Sequence, residues 1–309
     1  MNKTDFVIPL HRNNLLFRCT IEAIVLYYHP KTIHIITPAK EIQNLCIDIE
    51  KESWVLGNSQ LCFWDEESFF MKSSYGLTKE IIESWYCHID EQSREFGWWF
   101  QQIIKLGALS CIKELSDPFM VWDSDLIPLE PWSIYPCIEN DDNYTFALLQ
   151  EKEKNEFNKT QYSQSLFSLL GLMEICPRVG TFVPHHFVFH HCVIREFIER
   201  IEKRNIGNCC WIESIMKLSH EYYRFSEYKS IATFMSVFYP NLLCYHFFEN
   251  YGKKGLRIRD ESEAQNLVKH FLKFVGNDYD GNHSYFCLME FLDDFYAGTE
   301  ISYLQVEHL

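Results

Sequence analysis

Two carboxylates one residue apart, Asp123 and Asp125, directly follow an apolar run, Pro118 to Trp122. In an extended chain, residues i and i+2 point to the same side. The spacing predicts that both carboxylates converge on one hard cation, with Ser124 facing away. Such a cation keeps open positions for phosphate oxygens. The same three residues also read as a loop bearing two solvated aspartates. An EF-hand is excluded: Ile127 and Pro128 stand where that loop needs an acidic ligand and a glycine.

Three other stretches carry chemistry. In GWWFQQIIKLGAL (Gly97 to Leu109), Trp98, Gln101, Gln102 and Lys105 fall at i, i+3, i+4 and i+7, on one helix face. A polar stripe that begins with tryptophan is unlike a plain core face. Val183 to His191 reads VPHHFVFHH. His186 and His190 are four apart, as in a helical metal pair, but no HExxH exists and a zinc protease is not supported. Pro184 puts the first histidine pair in a turn or strand, ahead of a helix beginning near His190. In FSEYK (Phe225 to Lys229), Ser226 and Glu227 suit a helix start, as cap and dipole partner. Glu227 equally suits a general base within hydrogen-bond reach of a hydroxyl.

In this order, the GWWFQQIIKL segment, the DxD and the FSEYK stretch resemble GT-A-type glycosyltransferases. The resemblance is to a little-characterised glycosyltransferase-like family with a GW-x-QQ-x-x-KL helix, a DxD strand and a late FSEYE-like motif. It covers about Asp5 to Tyr251. Lys229 stands where that motif has a second acidic residue. The resemblance implies a GT-A-like, Rossmann-like α/β fold, a mixed sheet flanked by helices. It implies metal-dependent transfer of a sugar from a nucleotide-sugar donor to a glycan or other hydroxyl acceptor. Mn²⁺ or Mg²⁺ on Asp123 and Asp125 would act as a Lewis acid on the leaving diphosphate. Trp98, Gln102 and Lys105 would border the donor, with Lys105 meeting a phosphate. Apart from the resemblance, His185 or His186 binds sugar hydroxyls or donor phosphate as a neutral imidazole, or the histidines have no role in a site. Glu227 as base implies inversion. One rival is a haloacid-dehalogenase-like phosphotransferase with Asp123 as nucleophile, Asp125 as acid/base and Asp293-Asp294 downstream. Against it, two strand–helix units precede the DxD here, whereas that motif opens its sheet. The other rival is a non-catalytic sugar-binding protein on a degenerate transferase fold.

The elements that must position these groups follow from pattern. Pro118 lacks a ladder donor and fits the first residue of a strand. Phe119, Met120, Val121 and Trp122 are apolar without alternation, as in a central strand buried on both faces. Ligands of such sheets sit beyond the carboxyl ends of the strands. Phe6 to Leu10 predicts a first strand. Asn13 or Asn14 caps a helix to Tyr28, and Thr32 to Thr37 is a second strand, a unit suited to a nucleotide-binding half-sheet. The turn Pro9 to Arg12 then touches the nucleotide, or Arg12 is a surface arginine. Leu61 to Trp64 is a short strand, and Asp65 after it holds a ribose or base edge or belongs to a charged turn. Helices are predicted over Thr78 to Trp85, Phe96 to Leu106, Cys192 to Lys203 and Glu261 to Phe274. Asn208 is expected to cap another reaching Tyr223. Tyr144 to Leu149 reads as a strand, and Glu139 to Asn143 and Gln150 to Gln164 as loops. His246, alone in an aromatic strand, reads as a core residue.

The chain has 309 residues, enough for one large domain. About 5–135 would form the nucleotide-binding half and about 136–309 the acceptor side. Hydrophobic residues at 47% and aromatics at 16% argue against disorder. A net charge of −15 without a basic cluster argues against nucleic acid. No secretory signal is visible, and the best apolar window, Leu15 to Tyr28, is too short to span a bilayer. The twelve cysteines form no CxxC pair, which points to buried thiols in a reducing, cytoplasmic setting.

Overall fold

The computed structural model describes residues 4–13, 16–87, 95–129, 131, 144–148, 156–176, 181–221, 223–247, 254–258, 262 and 301–306. Its first half alternates strand and helix: β1 (Phe6–Pro9), α1 (Phe17–Tyr28), β2 (Thr32–Thr37), α2 (Ala39–Glu52), β3 (Gln60–Asp65), α3 (Lys79–Glu83), α4 (Phe96–Cys111) and β4 (Phe119–Trp122). Then come β5 (Leu126–Pro128), β6 (Tyr144–Leu148), α5 (Glu156–Leu170), β7 (His186–Phe189), α6 (His191–Arg204), α7 (Trp211–Met216) and α8 (Glu227–Phe238). The described chain closes with β8 (Leu243–Phe247), β9 (Lys254–Ile258) and β10 (Ile301–Val306).

The main sheet has the order β3-β2-β1-β4-β7. Its first four strands are parallel, and β7 runs antiparallel to β4 with His186 opposite Trp122. This is a mixed α/β sheet flanked by helices, with the Rossmann-like order 3-2-1-4. Two small sheets, β5-β10-β9 and β6-β8, lie outside it.

The apolar run of β4 is explained by its two faces. Phe119 and Val121 join a core with α4, α6 and α8 through residues such as Ile103, Val193 and Phe234. Met120 and Trp122 join a second core with Phe17, Ile21 and Ile24 of α1. All four β4 side chains are fully buried, each worth about 1.5–3 kcal/mol of transfer free energy. The strand is thus anchored from both sides just before the acidic residues begin.

Several boundaries differ from the sequence expectation. α1 starts at Phe17, with Leu16 at its N-cap position and no side-chain cap. Asn13 instead binds α2: its Nδ2 donates to Asp48 at 3.0 Å and its backbone N–H to Glu41 at 3.2 Å. Asn14 lies outside the described residues. α4 runs on to Cys111, because Gly107 breaks nothing and lies against the Phe70 ring. The predicted loop Gln150 to Gln164 is helical from Glu156. Its glutamate, lysine and glutamine are good helix formers, and Leu166 and Leu169 are buried. Asn208 caps no helix; Cys210 holds that position and α7 ends at Met216, followed by a 3₁₀ turn to Glu221. Asn208 Nδ2 donates to Ser214 Oγ at 3.0 Å. Thr78 does cap α3, accepting from the Ile81 N–H at 3.3 Å. The loop Glu139 to Asn143, the Asp293-Asp294 pair, the side chain of His246 and all of the helix Glu261 to Phe274 but residue 262 lie outside the described residues. Among the described residues no helix is long and apolar enough to cross a membrane.

Candidate active site

Strand order reverses beside β1: β2 and β3 lie to one side of it and β4 to the other. In open α/β sheets a ligand crevice opens at such a point, outside the carboxyl ends of the strands. Pro9 ends β1 there, and Asp123 follows β4 directly.

The two aspartates converge, but not by continued extension. β4 stops at Trp122, and a turn closed by Leu126 N–H donating to Asp123 O at 3.1 Å brings Asp125 round. The Asp123 N–H donates to the carbonyl of His185 at 2.8 Å. His185 has φ of +61°, a left-handed conformation that costs a non-glycine residue about 1–3 kcal/mol. That backbone kink, just before β7, sets the His185 ring against the acidic turn, with Nδ1 2.9 Å from Asp123 Oδ2. Asp123, Asp125 and His185 each offer one ligand atom within 4.8 Å of the others.

Behind this cluster stands a buried cation. Lys105, from α4, is 2% exposed. Its Nζ donates to Asp123 Oδ1, to Glu227 Oε1 at 2.6 Å and to Tyr228 Oη at 3.2 Å. The Tyr228 hydroxyl donates in turn to Asp123 Oδ1 at 2.8 Å. One turn earlier on α4, Gln102 Oε1 accepts the Glu227 N–H at 3.1 Å, and its Nε2 donates to the Trp98 carbonyl at 3.1 Å. Ser226 caps α8, accepting from the Lys229 N–H at 3.3 Å. The Gln-x-x-Lys of α4 and the Ser-Glu-Tyr of α8 therefore form one unit that grips Asp123. Tyr228 escapes a reading of the sequence; its only signal is its place beside Glu227 in the late motif.

These contacts set the charges. Burial alone would raise the Asp123 carboxyl, but the Lys105 charge and the His185 bond hold it well below the usual carboxylate range. Burial, then the neighbouring Asp123 charge, pushes Asp125 up to about 6. Burial also raises Glu227, against the pull of Lys105. Burial works against the Lys105 ammonium, yet Asp123 and Glu227 hold its pKa above the usual lysine range. For His185, burial is outweighed by its bond to Asp123, and the imidazolium is favoured.

The other predicted residues are dispersed. His186 is buried on β7, its ring 4.9 Å from that of Trp122 and its Nδ1 2.8 Å from the Pro184 carbonyl. Burial pushes it down to about 4, so it is neutral. Arg12 lies in an exposed turn and lines a cleft of about 340 Å³ with Glu41, Asn44 and Asp48 of α2. Asp65 ends β3, three strand spacings or about 14 Å from β4. Its carboxylate accepts from the Glu67 N–H at 3.3 Å and from Ser68 Oγ at 3.0 Å, as in a charged turn. Trp98 is half-buried on α4. Lys229 is occupied elsewhere: its Nζ lies 3.3 Å from Glu174 Oε1 and 4.4 Å from the Tyr162 ring centroid.

The fold and site define a Rossmann-like α/β protein with a carboxylate–imidazole cluster at the carboxyl edge of its sheet. The chain belongs to a family of unknown function, DUF6492, whose family model matches residues 1–266. No curated protein sequence matches it. Among solved structures it is similar to an active-site mutant of LgtC, at 11% identity and a TM-score of 0.42, over 99% of this chain and 88% of that one. It is also similar to the apo form of mouse xyloside xylosyltransferase 1, at 8% identity and a TM-score of 0.44, over 92% and 97%.

Proposed function

We propose that this protein is a metal-dependent glycosyltransferase that moves a sugar from a nucleotide-sugar donor to an acceptor hydroxyl. The observation that carries the reading is the convergence of Asp123, Asp125 and His185 beside the point where strand order reverses. The donor set fits a divalent cation. Carboxylate oxygens suit Mg²⁺ and Mn²⁺, and an imidazole added to them favours the transition metal. When bound, such an ion neutralises charge on the departing nucleoside diphosphate.

The chain's own residues divide the remaining work. Asp123, Asp125 and His185 would hold the cation. The turn after Pro9, with Arg12, borders the same edge of the sheet and is the nearest approach of β1 to the donor. Lys105 and Tyr228 fix the Asp123 rotamer by taking Oδ1, which leaves Oδ2 toward His185. Residues before and after position 136 contribute to one site, and we read the chain as a single domain on that ground. Against the phosphotransferase alternative, three parallel strands of the main sheet, β1 to β3, precede β4 and its acidic turn. Glu227, the base suggested by the sequence, has a side chain 4% exposed and bonded to Lys105; we assign it to that lysine rather than to the acceptor.

Calorimetry with nucleoside diphosphates and nucleotide sugars, with and without Mn²⁺, tests the reading. Binding is expected only with the cation, and is expected to be lost in Asp125→Asn. Equal affinity in the presence of chelator would refute it. Donor binding without turnover over any acceptor would favour the sugar-binding alternative.

A further inference from the structure

Lys105 is an unusual companion for a cation site. It lies inside α4, 2% exposed, and cannot turn to solvent without disrupting the core around it. Its ammonium has three hydrogens and three acceptors, Asp123 Oδ1, Glu227 Oε1 and Tyr228 Oη. None is left for a donor phosphate, the role expected from the sequence. Three carboxylates, Asp123, Asp125 and Glu227, meet here around a single lysine.

We propose that Lys105 is the resident counter-ion of this site, with Glu227 as its anchor, and that its fixed charge keeps the hold on a divalent cation weak. This rests on the cation site proposed above. Lys105 is thus a positioning residue: it acts through Asp123, fixing one oxygen and offsetting the charge that draws the ion. Glu227 acts through Lys105. One unit charge about 6 Å from a divalent ion changes affinity by about tenfold even at the dielectric constant of water. In a partly buried site the effect is larger.

The sign of the effect separates this proposal from a merely structural role. If Lys105 only latches α4 to α8, every loss from the latch loosens the site and weakens cation binding. If its charge opposes the cation, removing that charge tightens binding. The test is Mn²⁺ alone, titrated by calorimetry at one fixed pH for every variant. Glu227→Gln keeps an oxygen for Lys105 but removes a negative charge; Mn²⁺ affinity is expected to fall about tenfold. Adding Lys105→Met to that variant removes the opposing charge; affinity is expected to rise about tenfold, back toward wild type. Lys105→Met alone strands two buried carboxylates and threatens folding. The decisive comparison is therefore Glu227→Gln against the double variant, which loses both charges together. A double variant that binds Mn²⁺ no more tightly than Glu227→Gln overturns the counter-ion. A cooperatively melting wild type that binds no Mn²⁺ overturns the cation site, and the counter-ion with it.

Discussion

Glu22 makes the stability of the α1 side of the main sheet depend on pH in a direction that can be worked out. Its side chain is wholly buried in α1. Oε1 accepts from Arg18 Nε at 3.0 Å and from the Val55 N–H at 2.7 Å, and Oε2 has no partner among the described residues. Burial dominates, and pushes the carboxyl from 4.5 up to about 7. The native state therefore keeps a proton that the unfolded chain has already released. Its contribution is fully present below the unfolded value and is lost as pH rises from about 4.5 to about 7, then stays flat. At 1.36 kcal/mol per unit, the window is worth about 3 kcal/mol. Glu22→Gln preserves shape and an acceptor while removing the titration. Relative to wild type the variant should gain stability steadily across the window. Above it, the gain levels off at about 3 kcal/mol more than its value in acid, the Arg18 pair being already included in the shift. Urea unfolding of both proteins at a series of pH values measures the difference directly. A difference that stays constant from acid to neutral pH would refute the assignment.

Two further perturbations probe the packing that holds the site. A Cβ added at Gly107 would lie 2.3 Å from Phe70 Cε1 and 2.7 Å from Cζ, and that ring is fully buried against Phe69 and Phe100. Gly107→Ala should destabilise: overpacking costs about 1–3 kcal/mol against a helix-propensity gain of about 1 kcal/mol. A variant more stable than wild type in urea would show that α4 does not lie this close. Tyr228→Phe keeps the stack on Phe187, at 6.1 Å between centroids, but deletes the hydroxyl between Lys105 and Asp123. A loss of about 1.5–3 kcal/mol is expected, as for hydrogen bonds to charged groups; a melt within about 0.5 kcal/mol of wild type would contradict the bond.

The sheet is legible in the sequence because its central strand breaks the usual alternation. A run such as Phe119 to Trp122 has no polar face to offer water, so it must lie between two layers, and it does. The acidic pair is legible in type and spacing, but not in geometry. A turn, not extension, brings Asp125 beside Asp123, and no residue pattern in Ser124 to Leu126 announces where a strand stops. His185 and His186 cannot be separated in sequence. Which of two neighbours meets the site depends on where β7 begins and on one left-handed backbone angle. α5 is hidden because a polar, lysine- and glutamate-rich stretch describes a solvated helix face as well as a loop. Lys105 looks like a phosphate ligand because its two acidic partners lie 18 and 122 residues further along the chain.

A glutamate at a helix start has two possible employments, and its neighbour chooses between them. With a hydroxyl in reach and no cation bonded, it is a base. With a buried ammonium at 2.6 Å, it is first a counter-charge. Glu227 has the second kind of neighbour, so its stretch and the Gln102–Lys105 face of α4 meet in one unit. Gln102 accepts the first N–H of α8, Lys105 joins its first two side chains, and both motifs end on Asp123. Their joint requirement is for fixed side-chain lengths between two helices and one strand end, which is what glutamine, lysine, glutamate and tyrosine supply here. The Lys229 side chain lies apart from this grip. That lysine faces Glu174, across a different side of α8, and carries no part of the grip on Asp123.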